Sequence, residues 1–374
     1  ALAGKDLWNT LTGIIAEFQP EAVICCQDFP YGVTLFKWTR VDWSRIPFLN
    51  ITPIDGTPIF PEWLDLCDDI DGTMVISRFG VEAMRKAGKC VSLCHPGVDA
   101  GTFKPPSAEE KAELRKKAGL APDAFVVGMM AMNQGRKNIP ATLEAFRDFA
   151  VEKPTARLLL DMDKVSPAGW NIPLLAKEIG LDVSRILFKD DLLAKGLTNL
   201  RDRYCLLDVH SVVSHREGFG LPLLESQACK VVALALDWCS GTEICGDGKG
   251  VLIPCTPNHR YGTWGNAQDR DPDMPAFVAA LNKLYHEPGY RASIAEAGYQ
   301  WAIQQTWEAM CGAVDRALTE AIENHKRQPN IHAEVQSALS VNHHPGVQPV
   351  AVPDEVRPVV NADGRPAGYG NNPG

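Results

Sequence analysis

No apolar run in the 374-residue chain approaches the roughly twenty residues that a helix needs to cross a bilayer. The start lacks a basic flank followed by an apolar stretch, so no secretory leader is read there. Clustered Lys and Arg are scarce as well. A formal net charge of -9 argues against a nucleic-acid binder, which would hold phosphate backbones with such clusters. The one basic run, Lys111 to Lys117, is interleaved with glutamates and is expected to form a solvated helix face. Neither a C-x-x-C pair nor a zinc-type Cys/His spacing occurs among the 11 cysteines. Cys25, Cys26, Cys90, Cys229 and Cys255 lie in or beside apolar segments and read as small core residues of a reducing compartment, so a cytoplasmic location is expected. No G-x-G-x-x-G follows a strand, which weakens a nicotinamide-dependent reading. Gly246-Asp247-Gly248-Lys249-Gly250 lacks the earlier glycine of a phosphate loop, because Glu243 stands there, and reads as a turn into a strand.

The segment that carries chemistry is Ser214 to Glu225. An apolar run, Val209 to Val213, precedes it as a buried parallel strand, and Leu221 to Cys229 has helical spacing with Pro222 in the first turn. A helix start exposes unpaired backbone N–H groups that favour anions. Gly218 and Gly220 let that backbone approach a phosphate closely. Glu217 falls in the loop and Glu225 about one turn into the helix, so the first can face a sugar and the second can accept from ribose hydroxyls.

Around this segment strands and helices alternate, which specifies an α/β chain with parallel sheets covered on both faces. In the first part Ala22 to Cys26, Pro47 to Ile51, Thr73 to Ile76 and Cys90 to Leu93 read as strands, after a helix from Asp6 to Phe18. His95-Pro96-Gly97-Val98-Asp99 reads as a connection between two halves. The second half continues with strands at Phe125 to Met130, Ala156 to Asp161, Arg185 to Phe188, Val209 to Val213, Val231 to Leu236 and Gly250 to Ile253. Helices are expected at Pro140 to Val151 and Ile172 to Ile179, and amphipathic helices fill the chain after Asp273. From about Arg327 the composition loses any period, and a disordered tail is expected over 327–374.

The string Glu217-Gly218-Phe219-Gly220-Leu221-Pro222-Leu223-Leu224-Glu225 resembles the E-x7-E motif of the retaining glycosyltransferases of family 4, the group 1 type. His95 to Asp99 resembles the connector of that family, and the likeness runs from about Phe60 to Ala321. It implies a GT-B fold: two Rossmann-like domains facing a cleft, here 1–104 on the acceptor side and 105–300 on the donor side, with a helix over 301–326 returning to the first. The first domain is short for such a unit and the chain begins at Ala1, so missing N-terminal units are expected.

The resemblance places Lys137, from Arg136-Lys137-Asn138 after a strand end, on a diphosphate. The family's arginine five positions earlier is replaced here by Met132, which cannot give the bidentate contact of a guanidinium. It also makes Glu217 and Lys137 the catalytic candidates, and Arg136, Gly218, Phe219, Gly220, Leu221, Glu225, Thr242 and Glu243 the donor-binding ones. Asp28 and Asp55, in loops after first-half strands, are acceptor-side candidates, although Asp55-Gly56 also suits an ordinary turn. His215 is expected near the cleft and His210 in the packed interior. Asp161-Met162-Asp163 has the form of a cation-binding acidic pair, but Lys137 and a helix start already neutralise a diphosphate, so no metal and no cofactor are expected. The implied activity is retaining transfer of a hexose-type sugar from a nucleoside-diphosphate-sugar to a hydroxyl of a glycan, lipid or small-molecule acceptor. The alternatives are a catalytically silent nucleotide-binding or partner subunit and a GT-B sugar-nucleotide epimerase.

Overall fold

Strands of uninterrupted apolar character should be covered on both faces, as in parallel sheets, and two such sheets are found. The computed structural model describes residues 4–39, 41–261 and 267–327. The first sheet is formed by β1 (Val23–Cys26), β2 (Phe48–Thr52), β3 (Gly72–Val75) and β4 (Ser92–Leu93), in that spatial order and all parallel. The second contains β5 (Val126–Met130), β6 (Arg157–Asp161), β7 (Ile186–Phe188), β8 (Val209–Val212), β9 (Val232–Leu236) and β10 (Val251–Ile253). Its spatial order is β10-β9-β8-β5-β6-β7, again parallel throughout. The chain leaves β5 toward one edge and returns at β8 toward the other. Connections diverge between those two strands, and open α/β sheets place ligands at the carboxyl ends of strands at such a point. Every residue of β5 and β9 is buried, as the apolar runs require.

The expected strands are therefore present within a residue or two at each end. A third, two-stranded antiparallel ribbon was not anticipated: β11 (Cys255–Tyr261) pairs with β12 (Gln268–Pro272). The basic run also differs from expectation. In the helix Ala108–Ala118, Arg115 turns inward to Asp208 at 2.7 Å, and Lys111 donates to the carbonyl of Leu207; Asp208 in turn accepts from Val126 N. A carboxylate holding the start of β5 supplies that pull. All eleven cysteines are free, but Cys26 and Cys90 are exposed rather than packed. Of the tail expected over 327–374, Arg327 ends the last helix and 328–374 lie outside the described residues.

The last helix, Trp307–Arg327, lies against the first sheet. Met310, Ala313, Val314, Ala317 and Leu318 cover Leu49, Ile51, Met74 and Cys94. Near its end His325 Nδ1 is 2.9 Å from Asp71, whose other oxygen accepts from Phe48 N. At its beginning the backbone runs so close to Gly97 that a Cβ there would sit 2.2 Å from Trp307 N. The connector thus grips the helix backbone to backbone, and Val98 N donates to Gln305 O at 2.9 Å. Gly97→Ala should lower unfolding free energy by about 3 kcal/mol, the upper range of overpacking costs, read as a drop in the thermal midpoint of several degrees. An unchanged midpoint would show that this junction is looser than described.

Candidate active site

The loops leaving β5 and β8 meet at the divergence point. From the first, a single turn of 3-10 helix, Gly135–Lys137, carries Arg136 and Lys137. From the second come Ser214 to Gly220, ending in Gly220 at φ 98, a left-handed conformation that glycine adopts freely. Gly220 caps the helix Leu221–Ala228, with proline in its first turn. The two loops are stitched together, because His215 N donates to Arg136 O at 2.9 Å and Arg136 Nη1 to Arg216 O at 2.7 Å.

Glu217 is the centre of the charges brought together. Its Oε2 accepts from Lys137 Nζ at 2.6 Å and from Ser214 Oγ at 3.1 Å, with Arg136 Nη1 at 3.4 Å. Its backbone carbonyl accepts from Ser240 Oγ. Burial would raise the Glu217 carboxyl, but Lys137 and then Arg136 outweigh it and hold it below the usual glutamate value. Burial pulls Lys137 below the usual lysine value against the attraction of Glu217. At Glu225, one turn into the helix, burial raises the carboxyl and a hydrogen bond from Tyr204 opposes the rise. Tyr204 OH donates to Glu225 Oε2 at 2.7 Å. Both glutamates are thus held through one oxygen, and among the described residues no hydrogen bond to either Oε1 is formed by the protein.

The first sheet closes over this surface. Arg216 bridges Asp269 of β12 at 2.6 Å and Asp55 at 3.5 Å, and Cys239 Sγ donates to Asp55 O. Gly218 faces Pro53 so closely that an added Cβ would lie 2.6 Å away. Asp28, at the carboxyl end of β1, is held above the usual aspartate value by partial loss of water and then by Asp55, with Arg136 pulling the other way. Both acceptor-side candidates therefore lie within electrostatic reach of Arg136, opposite Glu217.

Sequence similarity and fold can now be compared with known proteins. No family model matches the chain. It is 28% identical over 269 residues to the D-inositol 3-phosphate glycosyltransferase of Thermobispora bispora, covering 70% of this chain and 58% of that protein. The counterpart in Actinosynnema mirum is 32% identical over 214 residues, 54% of this chain and 48% of that one. The chain spans about half the length of these curated relatives. Among solved structures, sucrose-phosphate synthase from Thermosynechococcus elongatus superposes with a TM-score of 0.65 at 19% identity, covering 84% of this chain and 78% of that chain. Anabaena HepE, in complex with UDP and glucose, gives 0.62 at 16% identity, with 85% and 84% covered. The fold is GT-B. In sequence the chain is similar to curated glycosyltransferases, and in fold to solved sugar-transferring enzymes.

Against that family's motif, the structure brings Glu217, Lys137, Arg136, Gly218 and Gly220 into one cluster, with Glu225 one helical turn further on. Others of the sequence-derived candidates are engaged elsewhere. The Phe219 ring is buried against His95 at 4.6 Å between centroids, so only its backbone can meet a ligand. Leu221 is partly exposed at the helix start. Thr242 donates its hydroxyl to Asp237. Glu243 is turned to the first half, accepting from Arg78 N at 2.8 Å and lying 3.0 Å from His95 Nε2. His215, expected near the cleft, is instead buried and bonded to Arg270 O and Asp271 of the ribbon. Asp161 is paired with Arg203 and Asp163 with Lys189, which occupies the acidic pair structurally. Met132 is 72% exposed just past β5. Sequence reasoning assigned no site role to Tyr204, Asp269, Ser214 or His95; the first two sit in no recognisable spacing, and the last two lie at the edges of the glycine-loop segment and the connector. No helix among the described residues is long and apolar enough to cross a membrane.

Proposed function

We propose that the chain is a group 1 glycosyltransferase and moves a hexose-type sugar from a nucleoside-diphosphate-sugar to an acceptor hydroxyl with the anomeric configuration kept. The observation that carries the reading is the Lys137–Glu217 pair at 2.6 Å, set where the β5 and β8 loops diverge and facing Asp28 and Asp55 of the first half. Lys137, Arg136 and the N–H groups following Gly220 offer fixed positive charge to a leaving diphosphate, the electrostatic form of catalysis. That charge lets the reaction proceed without a divalent ion in this reading. Glu217, ionised and anchored through Oε2, orients the donor sugar and favours the positive charge that develops at its anomeric carbon. Glu225 takes the ribose. Asp28 and Asp55 receive the acceptor, a glycan, lipid or small molecule bearing a hydroxyl. Thr242 and Glu243 reach the donor only if their present bonds open. The curated relatives named for inositol phosphate and the UDP-bound Anabaena structure support a nucleotide-sugar donor.

A second reading, a nucleotide-binding subunit without transfer activity, is favoured by Met132 at the place of the family's arginine. Incubation with a panel of UDP-, GDP-, ADP- and TDP-sugars and mixed acceptors, with product configuration read by NMR, separates the two. Axial product from an axial donor supports retaining transfer. Tight nucleotide binding without transfer or hydrolysis would leave the second reading standing, and absence of any nucleotide binding would reject both.

A further inference from the structure

Tyr204 ends in a hydroxyl that no solvent reaches, since the residue is 0% exposed. It sits on the six-residue helix Leu200–Cys205, just before β8. Two neighbours fix its ring. Phe103 meets it edge to face at 6.0 Å and His210 at 5.4 Å between centroids. His210 is itself pinned, because Met130 N, the last residue of β5, donates to its Nε2 at 3.1 Å. With its ring held between Phe103 of the connecting loop and His210 of β8, the hydroxyl is directed to Glu225 Oε2 at 2.7 Å.

We infer that Tyr204 is a positioning residue for the donor: it clamps one oxygen of Glu225 so that the other, Oε1, is presented in a fixed direction to the ribose hydroxyls. The inference rests on the nucleotide-binding part of the proposed function. A glutamate side chain has three rotatable bonds and a carboxylate that can turn about the last of them. An unclamped carboxylate would spread its acceptors over several directions, and ordering it would cost binding free energy. A hydroxyl donated from a packed ring removes that freedom before the ligand arrives. Tyr204 touches no ligand in this scheme, and its whole effect passes through Glu225.

The full chain is titrated calorimetrically with UDP, GDP, ADP and TDP, and with the 2′-deoxy form of whichever ribonucleotide binds most tightly. In the parent, loss of the 2′-hydroxyl or, in the 3′-deoxy analogue, of the 3′-hydroxyl should weaken binding about tenfold, a typical value for a hydrogen bond to a charged group. Tyr204→Phe keeps the ring and its packing. It should weaken the ribonucleotide about three- to tenfold and bring the ribo-to-deoxy ratio close to one, with inorganic pyrophosphate binding unchanged. Glu225→Gln should show the same collapse, and the double variant should be no worse than Glu225→Gln alone, because the tyrosine acts only through the glutamate. A purely structural tyrosine would weaken pyrophosphate and ribonucleotide together and add to Glu225→Gln. If the ratio collapses in Glu225→Gln but stays at the parent value in Tyr204→Phe, the clamp is refuted while the nucleotide site stands. If the parent binds none of the nucleotides, the proposed function falls and the clamp with it.

Discussion

Replacing Lys137 by alanine is expected to reduce turnover about 10²- to 10³-fold, the usual loss when one fixed positive donor is removed from a developing anion. The same change should destabilise the fold by about 3 kcal/mol, because it breaks a largely buried ion pair and leaves a carboxylate with less compensation. Lys137 and Glu217 side chains are only 10% and 17% exposed, so water cannot replace the lost partner cheaply. Arg136 at 3.4 Å and Ser214 at 3.1 Å soften the loss without removing it. The diagnostic variant is the double one. Lys137→Ala combined with Glu217→Gln should regain part of the stability, since the under-compensated carboxylate is gone and Arg136 keeps the Arg216 carbonyl, and none of the turnover. Urea denaturation beside steady-state kinetics of the three proteins reads both quantities. Parent-like turnover in Lys137→Ala would remove lysine from the reaction, whatever the stability showed.

The second large effect concerns acid. His210 is 0% exposed in the middle of β8, and burial, reinforced by the nearby charge of Lys137, pushes its pKa down to about 3 from 6.5. The backbone N–H of Met130 donates to Nε2, so the native imidazole is neutral with its proton on Nδ1. The unfolded chain binds a proton near pH 6.5 that the folded chain refuses until about pH 3. Stability from this group is therefore complete above pH 6.5 and falls by about 1.4 kcal/mol per pH unit between those limits. Urea midpoints measured from pH 7.5 to 4.5 should decline more steeply in the parent than in His210→Gln, by the slope of one proton. Parallel declines would mean that the acid sensitivity belongs to other groups.

Much of this architecture is legible in the residues because it is written with local signals. Val126 to Met130 and Val232 to Leu236 are short apolar runs between turn formers, and they become interior strands for the reason such runs suggest. The glycine loop and its glutamates are consecutive, so their proximity needs no folding to predict. The ribbon was illegible because residues 255–272 are polar, carry two prolines and show no alternation; their pairing lies in backbone bonds that leave no compositional trace. Tyr204 escaped notice for a different reason. Its partner lies 21 positions later, and a tyrosine in Leu-Arg-Asp-Arg-Tyr-Cys has nothing in its neighbours to say that its hydroxyl will be buried. Glu243 matched a family position, yet its bonds go to Arg78 and His95, contacts created only when the two halves meet. Arg115 misled in the same way, since a glutamate-rich neighbourhood hides an inward-facing guanidinium.

The helix Trp307–Arg327 belongs by sequence to the end of the chain and by packing to its beginning. A chimera that exchanged everything after the connector for the matching stretch of a relative would strip Leu49, Ile51 and Met74 of their native cover and offer them a foreign one. Modular exchange of the second half of this molecule therefore has its seam at two points: one before Gly97, and a second near Thr306 that returns the terminal helix to its original owner.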